Sequence, residues 1–123
     1  MATARETIPK LLEIEGCTAA SIVDSNSGMT LASAGTGVDL EVAAAGNTEV
    51  VRAKRKTMKA LDLNDTIEDI LITLGRQYHI IRLIGDGKTG GLTLFLYLVL
   101  DRERANLALA RHHLKRIEGD LTV

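Results

Sequence analysis

The chain has 123 residues and a mass of 13.3 kDa, the size of one compact unit. Hydrophobic residues are 46% and charged residues 25%, enough apolar mass for a core and too much for a disordered segment. Fifteen Lys+Arg against sixteen Asp+Glu leave a net charge of -1, and aromatic residues are 2%, so both the field that holds a phosphate backbone and the rings that stack on bases are missing.

The single Cys17 has no intramolecular disulfide partner, which fits a reducing compartment. Arg5, Glu6 and Lys10 interrupt the N-terminal stretch, unlike a signal peptide. The longest apolar run, 94–100, is far below the roughly 20 residues that cross a bilayer. The expectation is a cytoplasmic protein without membrane insertion.

In chain order, Thr3 or Thr7 is placed to cap a first helix, with Pro9 in its first turn and Gly16 as its stop. Residues 18–24 read as a strand, with Ala20 and Ile22 on one face and Ala19, Ser21 and Val23 on the other. Ser25-Asn26-Ser27-Gly28 is a turn, and 29–33 is the returning strand. Asp39 caps a long helix that runs to Leu61. At 100° per residue, Glu41, Thr48, Glu49, Arg52, Arg55, Lys56 and Lys59 gather on one arc. The apolar remainder spans about 200°, more than one sheet face uses, with Asn47 and Lys54 inside it. Such a stripe predicts a second contact surface, the same helix of another subunit.

Residues 67–74 and 77–84 form a hairpin around Gly75-Arg76, a two-residue loop with Gly first. A Gly-rich loop, 85–91, leads to 92–100, an unbroken apolar run expected of a central strand covered on both faces. Asp101 is placed to cap a last helix ending near Gly119, with Leu107, Leu109, Ala110, Leu114 and Ile117 as its core stripe. The order α-β-β-α-β-β-β-α predicts one five-stranded antiparallel sheet between helical layers, a three-layer α/β/α fold.

No motif carries chemistry. Gly87-Lys88-Thr89 lacks the first glycine of a phosphate loop, because Arg82 stands there and a strand follows in place of a helix. Adjacent His112 and His113 point about 100° apart on a helix and do not chelate together. His79 lies on a strand, where a half-covered face is the ordinary environment. Cys17 has no base nearby in sequence and reads as a small apolar side chain. The expectation is no catalytic residue, no cofactor and no metal. The basic stripe Arg52, Arg55, Lys56 and Lys59 reads either as a solvated face or as a docking surface for an acidic protein.

The layout resembles the roadblock/dynein light chain superfamily, in particular its compact bacterial MglB-like members. The resemblance rests on Thr18-Ala19-Ala20-Ser21-Ile22-Val23-Asp24 with its turn and Met29-Thr30-Leu31-Ala32-Ser33, on the long helix after Asp39, on Ile70-Leu71-Ile72-Thr73-Leu74, on Tyr78-His79-Ile80-Ile81-Arg82-Leu83-Ile84, and on the apolar strand before Asp101. It implies a profilin-like module of strand order 2-1-5-4-3, one roadblock domain over 1–123 with its core about 8–118. It implies dimers in which the long helices pair and the third strands meet edge to edge. On this chain that surface is Asn47, Val50, Val51, Lys54, Met58, Ile70, Ile72 and Leu74, with Asn47 and Lys54 setting register. It also implies a noncatalytic regulator of a small Ras-like GTPase, with Arg52, Arg55, Lys56 and Lys59 as a partner surface. The alternative is a scaffold for a GTPase, sensor-kinase or motor complex, with a paralogous roadblock protein as a further possible partner.

Overall fold

Thr3 begins the first helix. Its hydroxyl accepts from the Glu6 N–H at 3.2 Å, and the Glu6 carboxylate accepts from the Thr3 N–H at 3.0 Å, a complete capping box. The computed structural model, which describes residues 2–84 and 93–121, then builds α1 (Ala4–Leu12), β1 (Cys17–Asp24), β2 (Thr30–Gly35), α2 (Leu40–Ala60), β3 (Asp69–Thr73), β4 (Gln77–Leu83), β5 (Leu94–Asp101) and α3 (Leu107–Asp120). The loop 85–91, Leu92 and the Gly87-Lys88-Thr89 reading lie outside the described residues.

The sheet is antiparallel throughout, in the order β2-β1-β5-β4-β3. Alternation in β1 places Ala20 and Ile22 on one face, and Ala19 and Val23 on the other, as the sequence predicts. The first face packs Ile22, Ile80, Leu96 and Leu98 against Ile8 and Leu11 of α1 and Leu114 of α3. The second packs Val23, Ile81, Phe95, Tyr97 and Val99 against Ala44 and Val51 of α2. Leu94 to Leu100 are all buried, which explains the missing alternation: β5 is central and covered on both faces. Each such leucine contributes about 1.5–3 kcal/mol by leaving water.

Several elements differ from the sequence expectation for local reasons. With Thr3 as cap, Pro9 falls in the second turn of α1, where its missing N–H leaves the Arg5 carbonyl unbonded within the helix; both residues are exposed, so water replaces the bond. The second strand begins at Thr30 and runs on to Gly35, because Met29 still belongs to the turn, its carbonyl accepting from the Asp24 N–H. Gly35 sits at φ +116° opposite Ala19, where an added Cβ would stand 2.4 Å from the Thr18 carbonyl oxygen. The third strand is shorter than predicted, Asp69–Thr73, with 63–68 irregular. The hairpin at Gly75-Arg76 closes through Leu74 and Gln77 as expected, yet Gly75 takes no positive φ.

Asn106, not Asp101, caps α3; its side chain accepts from the Leu109 N–H at 3.0 Å. Asp101 instead ends β5 and holds a tight turn, accepting from the Glu103 N–H on its carboxylate and from the Arg104 and Ala105 N–H groups on its carbonyl. Starting the helix at 107 turns Leu109 outward, 43% exposed, while Ala110 and Leu114 face the sheet. Two ion pairs fasten α3 to the far side of the sheet: Arg82 to Glu118 at 2.9 Å and Arg111 to Asp69 through two bonds of 3.1 and 3.2 Å.

Candidate protein-interaction surface

The long helix covers only half of its sheet face closely. At 21 residues it is about 31 Å long, and its buried residues, Ala44, Thr48 and Val51, all lie in the first twelve. It packs on β1 and β2. Beyond Val51 only Met58 is even half-buried. Thr48, which helical spacing puts on the polar arc, is buried instead, and its hydroxyl donates to the Ala44 carbonyl at 2.7 Å.

Among the described residues α2 covers the other half of this face, over β4 and β3, less closely than it covers β1 and β2. Ile70, Ile72 and His79 are half-buried there, and β3 is one of the sheet's two edge strands, β2 being the other, with one row of backbone groups outside the sheet's ladder. Around it stand Val50, 37% exposed, Leu74, 42%, and, past the helix end, Leu61 and Leu63, 61% and 51%. The helix, the irregular 63–68 segment and the β3 edge thus present one apolar surface with a basic margin.

The surface residues predicted from sequence divide into two groups. Ile70, Ile72 and, just past the strand's end, Leu74 share one face of β3 by alternation, and Asn47, Val50 and Met58 are half-buried or exposed on α2. Val51 does not offer a contact, because it is wholly buried in its own chain's core. Lys54 is exposed beside Met58 and Asp69. Arg52 is braced internally: it pairs with Glu49 at 3.1 Å and donates to the Asn26 carbonyl, which ties α2 to the β1–β2 turn. Arg55 and Lys59 line an open cleft with Asp65, Glu68 and Arg82, and Lys56 is exposed.

Under the helix lies a polar chain that sequence reading does not reveal. The Tyr97 hydroxyl is 3.0 Å from His79 Nδ1, and His79 Nε2 is 2.9 Å from Gln77 Oε1. The two rings meet edge to face, 5.5 Å apart. Asn47 stands near the Tyr97 hydroxyl, but its buried Nδ2 makes no hydrogen bond. Burial lowers the His79 pKa. Burial raises that of Tyr97, against a smaller opposite effect of Asn47. Alternation put His79 on this face; only the register, His79 beside Val99 and Ile81 beside Tyr97, brings its ring to the tyrosine.

The remaining reactive groups are quiet. Cys17 donates to the Ala19 carbonyl at 3.4 Å, and burial pushes its thiol up to about 11. The His112 and His113 rings stand 5.9 Å apart and tilted by 59°. Among the described residues no group of three or more His, Cys, Asp or Glu is placed to hold a metal ion, and no helix is long and apolar enough to cross a membrane.

A five-stranded antiparallel sheet of order 2-1-5-4-3, with a long helix over one face and two terminal helices over the other, is the roadblock/LC7 fold, and this chain has it. In particular it takes the form seen in MglB. The gliding protein MglB from Thermus thermophilus superposes with a TM-score of 0.76 at 20% identity, over 92% of this chain and 81% of that one. A roadblock/LC7 domain from Streptomyces avermitilis gives 0.78 at 13% identity, over 96% and 93%. MglB of Myxococcus xanthus gives 0.73 at 17% identity, over 94% and 85%. No family model matches the sequence. No curated protein matches it either.

Proposed function

We propose that the protein is a noncatalytic roadblock-type regulator. It acts as a pair of identical chains and docks a small Ras-like GTPase to alter its nucleotide cycle. The carrying observation is the half-covered sheet face with the free β3 edge. A twofold axis beside β3 supplies a partner strand for the unpaired backbone and a second α2 for the open apolar half. The fold shared with MglB supports the regulatory reading, and one MglB structure is described as having a tetrameric arrangement. Among the cations of α2, Arg55, Lys56 and Lys59 are exposed along the margin and face outward for an acidic partner.

Light scattering at micromolar concentration tests the pairing: a mass of twice 13.3 kDa is expected, and a stable monomer overturns it. Binding and turnover assays against Ras-like GTPases of the source genome, loaded with GDP or a GTP analogue, test the docking. Changed hydrolysis or exchange supports regulation, whereas tight binding with unchanged turnover leaves a scaffold.

A further inference from the structure

The chain Tyr97–His79–Gln77 sits where the covered half of the sheet face meets the open half. With Gln77 Oε1 as the acceptor, His79 Nε2–H donates to it, and Nδ1 of the neutral ring accepts from the Tyr97 hydroxyl. This order needs a neutral imidazole with its proton on Nε2. A second proton on Nδ1 removes that acceptor, so the Tyr97 hydroxyl loses its bond to the ring unless it rotates its own proton away and accepts instead across the same 3.0 Å.

The surroundings offer no compensation for charge. From β3 the residue opposite the ring is Ile72; from β5 it is Val99, with Tyr97 a register step away. From α2 the polar group is Asn47, and the cation two turns further on, Lys54, is exposed. Asp101 of β5 pairs with Gln77, but its carboxylate already accepts from the Glu103 N–H. Asp69 of β3 is taken by Arg111. A partner laid over Ile70 and Ile72 would also remove the remaining water beside His79.

We propose that protonation of His79 weakens this surface's hold on a second copy, so that self-association is a pH-sensitive step. The inference rests on the pairing proposed above and adds its regulation. The sign is fixed by linkage: further burial on pairing favours the neutral ring, so association is strongest above the His79 pKa of the unpaired chain, itself below the usual imidazole value, and falls as pH drops through it.

The test is sedentation-equilibrium or light-scattering measurement of Kd at about pH 7.5 and about pH 5.5, for the intact chain, His79→Gln and His112→Gln. A rise of roughly tenfold or more at low pH, retained in His112→Gln and flattened in His79→Gln, is expected. A dimer with pH-independent Kd overturns this inference and leaves the pairing standing; a monomer at both pH values overturns both. An unaltered pH response in His79→Gln also overturns it. Should that variant not fold, nitrogen NMR of the wild-type imidazole decides: a His79 proton on Nδ1 at neutral pH overturns the chain described here.

Discussion

Asp62 is the one described non-glycine residue with a positive φ, 55°. It follows the C-cap of α2, and the Leu63 N–H reaches the Met58 carbonyl at 2.9 Å while its own N–H reaches Lys59 at 3.1 Å. This is a Schellman ending, whose left-handed position favours glycine. Asp62→Gly should therefore stabilise by roughly 0.5–1 kcal/mol in urea unfolding, and Asp62→Val should destabilise by about 1 kcal/mol or more. At the other end of the chain, Thr3→Ala removes a cap and should cost about 0.5–2 kcal/mol in the same measurement. The Thr3 N–H, which that substitution leaves in place, holds the Glu6 carboxyl below its usual pKa, so the contribution of this second bond is present above the unfolded value and fades as pH falls through the folded one. The Thr3–Glu6 spacing is visible in the sequence. The left-handed Asp62 is not, because only the return of the chain toward Ile67 demands it.

At the scale of elements, α3 is anchored less by its apolar stripe than the sequence suggests. Leu109 faces outward, while Leu107, Ala110, Leu114 and Ile117 pack on the core and two ion pairs add to the hold. The Arg82–Glu118 pair keeps only 14% and 12% of its side-chain surface exposed, so truncating one partner leaves a poorly solvated charge. Glu118→Gln should cost about 1–3 kcal/mol by thermal unfolding, whereas the same change at the exposed Glu49 should cost less than about 1 kcal/mol. The strands were legible element by element: β1 by alternation, β5 by unbroken burial, the β3–β4 hairpin by Gly75-Arg76. The boundaries of β3 and the cap of α3 were not. Asp101 and Asn106 are both competent caps, and the choice fell to Asn106 because the register of β5 carries the strand through Asp101.

At the scale of the whole molecule, the same asymmetry carries both proposals. A helix of 21 residues covers one half of a five-stranded face closely and leaves Ile70 and Ile72 half in water. Ile72→Arg places a charge on that open half without touching the buried core. The expected result is a monomer by light scattering, with an unfolding transition lowered by no more than about 1 kcal/mol. A dimer that survives the substitution would place the pairing surface elsewhere. Loss of folding would mean that Ile72 supports the monomer.

The sequence by itself determined the element order, the faces of β1, the buried course of β5, and a long helix with more apolar arc than one sheet consumes. These follow from local rules, since periodicity, capping and turn chemistry act within a few residues. The tertiary structure decided which part of that arc is used: Val51 and Thr48 go inward, and Val50 and Lys54 stay out. It also made Arg52 a brace to Asn26, and joined His79 to Tyr97 beneath Asn47. Those outcomes depend on strand register and on where the helix crosses the sheet. Both are set by contacts between residues far apart in the chain, which no local pattern encodes.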